Sequence, residues 1–144
     1  MSETAKATRR DQLFAFLLEA EKLKSVTRAT PIHDGTRREN SAEHSWTLAL
    51  YALVLAGEAA PGVDPLRAVK MLLIHDLVEI DVGDVPIHSA GGAAHGSTEI
   101  QNAESAAAKR IFGLLPKDLG EDLHALWEEF EAAETPTAIY AKSL

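Results

Sequence analysis

Lys70-Met71-Leu72-Leu73-Ile74-His75-Asp76-Leu77-Val78-Glu79-Ile80 is the stretch whose reading decides the fold. It is apolar almost all the way round, yet His75, Asp76 and Glu79 interrupt it. A helix apolar on every face belongs inside a domain. Ionisable groups there are costly unless they are paired, hydrogen-bonded or coordinated to a metal. Adjacent helical residues point about 100° apart, so His75 and Asp76 can flank one ion but cannot complete its shell. Glu79 lies one turn further along the same side.

The missing donors have to come from neighbouring elements. Asn40-Ser41-Ala42-Glu43 reads as a helix start, with Asn40 as N-cap and Glu43 closing a capping box. Trp46, Leu48, Leu50, Tyr51, Leu53, Val54 and Leu55 make the helix that follows strongly apolar. Asp64-Pro65 then starts the helix that runs to about Ile80. Two helices joined by so short a turn pack antiparallel. His44, near the start of the first, thereby meets His75, near the end of the second.

The rest of the chain also reads as helix. Leu13, Phe14, Leu17 and Leu18 recur at helical spacing between about Asp11 and Leu23. Residues 26–38 form a loop with Pro31, Gly35, Arg28, His33, Asp34, Arg37 and Arg38. Residues 81–96 form a glycine-rich irregular segment with His88 and His95. Ser97 or Thr98 starts a helix that Gly113 ends, and another spans Lys117 to Ala132. Thr135-Pro136 caps a last helix, which reaches Leu144 with no end signal and reads as cut short. No strand-like alternation is visible. The expectation is an all-α single domain over residues 1–144, a bundle of about six helices.

The chain has 144 residues, 46% of them hydrophobic, enough for a proper core. Its formal charge of -8 argues against a broad nucleic-acid or anionic-membrane surface. The absence of cysteine rules out disulfides, thiolate metal sites and cysteine nucleophiles. Any metal must be held by His and carboxylates. With no signal pattern and no run of membrane-spanning length, a cytoplasmic location is expected.

Three ordered motifs then carry a specific resemblance: Glu39-Asn40-Ser41-Ala42-Glu43-His44, His75-Asp76-Leu77-Val78-Glu79 and Gly83-Asp84-Val85-Pro86. From about Leu23 to Leu144 the chain resembles the HD-domain phosphohydrolases, in particular their 5′-deoxynucleotidase branch of YfbR-like and HD-domain-containing-2-like proteins. The resemblance implies an all-α bundle and one divalent metal ion (Co, Mn, Zn, Fe or Mg). Its ligands would be His44, His75 and Asp76, with Glu79 as the catalytic acidic residue. It also implies Arg28 as the residue that orients the substrate phosphate. Asp84, Val85, Pro86 and Ile87 would hold the nucleoside, with Asp76 also touching substrate. Two departures stand out. Ala29-Thr30-Pro31-Ile32 follow Arg28 where the family often has a Trp, and the family's last metal Asp would come directly after Leu144.

The activity implied is hydrolysis of deoxyribonucleoside 5′-monophosphates to deoxyribonucleoside and phosphate. Alternatives are another HD-family nucleotide phosphohydrolase or phosphodiesterase, which the short chain disfavours, and a catalytically inactive binding module. The expected partner is a small nucleotide, with no nucleic acid and no membrane. Apolar surface on the 46–55 and 119–130 helices, together with the resemblance, implies a homodimer.

Overall fold

The computed structural model describes residues 6–83 and 98–144. Helix α1 spans Arg9–Ala20 and runs into a 3₁₀ turn, Glu21–Ser25. Strands β1, Thr27–Pro31, and β2, Arg38–Asn40, follow. The remaining helices are α2 (Ser41–Val54), α3 (Pro65–Ile74), α4 (Glu79–Val82), α5 (Thr98–Phe112), α6 (Lys117–Ala132) and α7 (Pro136–Lys142). The architecture is all-α, with one small two-stranded sheet. No helix among the described residues is long and apolar enough to cross a membrane.

The helix starts follow local chemistry. Asn40 Oδ1 accepts from the Glu43 amide at 2.9 Å, and Glu43 Oε2 accepts from the Asn40 amide at 3.0 Å. Asp64 accepts from the Arg67 amide at 3.2 Å, with Pro65 in the first turn, where its missing N–H costs nothing. Thr135 accepts from the Ala138 amide at 3.1 Å. Helix α5 ends before Gly113, where a Cβ would lie 2.6 Å from the Lys109 carbonyl oxygen, so only glycine fits without a shift.

Helix α3 is the centre of the bundle and packs on α2, α6 and α7. Ala49, Ala52 and Ala68 are buried at the α2–α3 contact region, and such small side chains let the helices approach closely. Met71, Leu72, Ile111, Phe112, Leu126, Trp127 and Phe130 fill the interior. Two hydrogen bonds lock α7 onto this core: Tyr140 Oη to the Ala52 carbonyl at 2.8 Å, and the Asp64 amide to Thr137 Oγ1 at 3.0 Å.

Three expectations are corrected. Residues 26–40 are not a plain loop but an antiparallel hairpin, with Thr27 opposite Asn40 and Pro31 opposite Arg38. Its strands are short, mostly exposed and broken by an irregularity, so no period-2 pattern betrays them. The helix expected from Pro65 to Ile80 is interrupted. After Ile74 the chain makes i→i+3 bonds, Leu77 to Ile74 at 3.1 Å and Glu79 to Asp76 at 2.9 Å, before the single turn α4. On α1 the buried residue is Phe16, whose ring stacks 6.3 Å from that of Phe112; Leu13 packs against the core as expected, while Phe14, Leu17 and Leu18 face outward.

Candidate metal centre

The antiparallel packing of α2 and α3 places His44, in the first turn of α2, beside His75 at the end of α3. Their ring centroids lie 6.1 Å apart. His44, His75 and Asp76 each offer one ligand atom within 4.8 Å of the others. The His75 ring packs 5.0 Å from that of Phe130. Its Nδ1 lies 2.7 Å from the Leu72 carbonyl oxygen, which cannot donate, so Nδ1 carries the proton. That leaves Nε2 to face Asp76, 3.2 Å from its Oδ1.

His44 lies beside a carboxylate instead. Its Nδ1 lies 3.2 Å from Glu39 Oε1. The contact lacks hydrogen-bond geometry, so the carboxylate acts on the ring through its charge, which favours the protonated form. Burial and then the Arg28 charge hold the His44 pKa below its ordinary value, so the ring is neutral near pH 7.

Burial pulls the His75 pKa down, but the Asp76 carboxylate and the Leu72 carbonyl outweigh it and raise the value. For Asp76, burial pushes upward, but the His75 imidazole, His44 and Arg28 hold the carboxyl low. A proton on Nε2, donated to the Asp76 carboxylate, is thus favoured, and a bound cation would take its place. The other oxygen, Asp76 Oδ2, is buried and accepts no hydrogen bond among the described residues. Arg28 Nη1 stands 3.7 Å from it, an ion-pair distance that is too long for a hydrogen bond. Two imidazoles and a carboxylate with an unsatisfied oxygen fit a divalent metal ion.

Arg28 reaches this centre from β1, with Nε 3.2 Å from Glu39 Oε1. Glu79 Oε2 accepts a 2.7 Å hydrogen bond from Ser41 Oγ, and Ser41 is fully buried. The structure therefore brings together Arg28, His44, His75, Asp76 and Glu79. Asp84, Val85, Pro86, Ile87, His88 and His95 lie outside the described residues. Arg37 pairs with Glu43 rather than pointing to the centre.

Sequence reasoning gave no role to Glu39 or Ser41. A signal existed for Ser41, which lies three residues before His44 and so shares its helix face. For Glu39 none existed beyond its place at the start of the motif, because its contacts depend on the hairpin.

A family model described as HD domain matches residues 20–144. The chain is 32% identical over 133 residues to human 5′-deoxynucleotidase HDDC2, covering 92% of this chain and 62% of the human protein. It is 30% identical over 128 residues to a 5′-deoxynucleotidase of Erwinia tasmaniensis, covering 86% of this chain and 64% of that one. The chain thus spans less than two thirds of the curated relatives it matches. Among solved structures, a "predicted metal-dependent phosphohydrolase" from Magnetospirillum magnetotacticum superposes with a TM-score of 0.84 at 44% identity. That match covers 92% of this chain and 66% of the other.

Proposed function

Because the chain belongs to the HD domain family, we propose that it is a metal-dependent phosphohydrolase that converts deoxyribonucleoside 5′-monophosphates to deoxyribonucleoside and phosphate. The observation that carries this reading is the convergence of His44, His75 and Asp76, with Asp76 Oδ2 buried and unsatisfied among the described residues. The 5′-deoxynucleotidase names of its relatives support the choice of substrate.

In this reading His44 Nε2, His75 Nε2 and Asp76 hold one divalent ion, with Co, Mn, Zn, Fe and Mg all compatible. When bound, such an ion supplies Lewis acidity to a phosphoryl oxygen and lowers the pKa of a coordinated water. Arg28 binds the phosphate through its planar fork of N–H donors. Glu79, held by Ser41, handles the protons. It takes one from the water that attacks phosphorus and returns one to the leaving 5′-oxygen as the phosphorus–oxygen bond breaks. Asp84, Val85, Pro86 and Ile87 are assigned to the nucleoside.

The last turn of α7 ends beside this centre. Lys142 Nζ sits 5.3 Å from the Phe130 ring, which packs on His75. The same proposal includes a homodimer, supported by the apolar surface on α2, and a cytoplasmic location.

The test is phosphate release from a panel of deoxy- and ribonucleoside 5′-monophosphates, with and without Co²⁺ or Mn²⁺. It is run on the 144-residue chain and on the same chain with one aspartate appended after Leu144. Metal-dependent release from deoxynucleotides is expected. Its absence from both forms and every nucleotide would overturn the reading. Glu79→Gln is expected to lose turnover while still binding metal; loss of metal instead would make Glu79 a ligand.

A further inference from the structure

We propose that Phe130 is a positioning residue for the metal centre: its ring, held from α7 by Lys142, sets the tilt of the His75 imidazole and so the direction of the ligand nitrogen Nε2. The proposal rests on the metal-centre reading above, but not on the identity of the substrate.

His75 comes from the end of α3, and its Nδ1 hydrogen bond to the Leu72 carbonyl joins it to its own helix. That bond decides which nitrogen faces Asp76. The tilt of the ring plane is left to what packs on the ring. Phe130, on α6, is such a neighbour, with centroids 5.0 Å apart and planes at 59°. Rings at this distance attract when tilted, because the negative face of one meets the positive edge of the other. Both side chains are buried. The His44 ring, 6.1 Å away, belongs to a second candidate ligand. Phe130 is therefore the aromatic neighbour whose place does not depend on the ion.

Phe130 in turn touches Lys142. The ammonium lies 5.3 Å from the ring centroid, inside the range of about 6 Å where a cation is drawn to an aromatic face. The same Nζ donates to the Glu131 carbonyl oxygen at 3.0 Å. Glu131 is in the last turn of α6, where carbonyls lack partners within the helix and a positive charge meets the negative end of its dipole. Burial raises the carboxyl pKa of both Glu104 and Glu131, and the Lys142 charge lowers both, so the ammonium sits beside two acids. Lys142 itself comes from α7, which Tyr140 and Thr137 bond to the core. A line of contacts therefore runs from the end of α7 through Phe130 to a candidate ligand on α3.

The experiment is calorimetric titration of Mn²⁺ into the wild-type chain, Phe130→Leu, Lys142→Met, Lys142→Arg and the Phe130→Leu/Lys142→Met pair, with Co²⁺ absorption spectra of the same proteins. Phe130→Leu is expected to weaken Mn²⁺ binding by about threefold to tenfold, the worth of one aromatic pair. Its Co²⁺ d–d bands should shift, because the ligand field follows the direction of the imidazole. Lys142→Met keeps the aliphatic stem without the charge and should lose about twofold to fivefold, as for an exposed cation on a ring. Lys142→Arg keeps charge and donors and should match the wild type. The pair should lose no more than Phe130→Leu alone, since Lys142 acts through that ring. A merely structural role would lower the urea midpoint of the metal-free chain and leave affinity and Co²⁺ spectrum of the folded protein unchanged. That result in Phe130→Leu, or additive losses in the pair, overturns the proposal. If Phe130→Leu does not fold, wild-type affinity and spectrum in Lys142→Met overturn it instead, since Lys142 is exposed and its variants fold. No metal binding by the wild-type chain overturns the metal reading and this proposal with it. If the variants behave as expected but no nucleotide is hydrolysed, only the substrate reading falls.

Discussion

Ser41 spends its only side-chain donor on Glu79, a residue 38 positions away, and is itself fully buried. A hydroxyl in that position fixes the direction of a carboxylate without binding anything itself. Ser41→Ala is therefore expected to lower kcat by about 10-fold while Mn²⁺ affinity stays nearly unchanged, as measured by steady-state kinetics and calorimetry. It should also cost about 1–3 kcal/mol of stability in urea unfolding, the usual range for a lost hydrogen bond to a charged group. An unchanged kcat would leave Ser41 a packing residue. His44, His75 and Asp76 were legible in the sequence because imidazole and carboxylate in apolar surroundings demand a reason. Ser41 and Glu39 were not, because a serine or a glutamate beside a helix cap has many ordinary uses. Their partners are set by how the chain folds back on itself.

The element that the sequence misrepresents is the one it signals most strongly. Periodicity detects right-handed helical backbone from Pro65 to Ile80, and His75 and Val78 do have helical angles. It cannot see that the hydrogen bonds tighten to i→i+3 after Ile74, since no glycine or proline marks the change. In such tight winding, residues three apart eclipse, which brings Asp76 and Glu79 onto one side. The single turn α4 that follows is too short to hold itself. Arg110 on α5 clamps it, donating to Asp81 Oδ2 at 2.8 Å and to Asp81 Oδ1 at 2.7 Å, and it also reaches Glu19 on α1. Arg110→Ala is expected to reduce kcat by roughly threefold or more, because α4 carries Glu79. The stability cost should stay near or below about 1 kcal/mol, since the pair is partly exposed. Kinetics and urea unfolding on one preparation separate the two effects. Unchanged turnover would mean that α4 needs no clamp.

At the scale of the whole molecule, the all-α bundle and its antiparallel α2–α3 pair were readable from caps and apolar spacing. Which apolar residues face inward was not. Helix α2 buries its alanines and leaves Trp46 63%, Leu53 62% and Val54 71% exposed. Isolated exposed hydrophobics are ordinary, but several on one helix mark an interaction surface. Sedimentation is expected to give twice the chain mass for the wild type and the single-chain mass for Leu53→Glu. A monomeric wild type would contradict the homodimer proposal. Acid sensitivity also belongs to this scale. Glu129 accepts from Arg67 on α3 and from Thr135 at the start of α7, so it joins three helices. Its hydrogen bonds to Arg67, against an opposing effect of burial, hold its carboxyl below the ordinary 4.5. A carboxyl lowered by folding adds stability above its unfolded value and loses it as pH falls through the folded one. Glu129→Gln should therefore be less stable than wild type at pH 7, by about 1 kcal/mol or less for a partly exposed pair. The two unfolding curves should converge as pH drops below about 4. A constant gap at all pH values would mean that the charge contributes nothing.

Everything proposed about function depends on one ion held by His44, His75 and Asp76. Calorimetric titration of Mn²⁺ into the wild-type chain and into His75→Ala tests this most directly. One ion bound per wild-type chain, and none measurable in His75→Ala, is the predicted result. Failure of the wild type to bind, or equal binding by His75→Ala, would contradict the account.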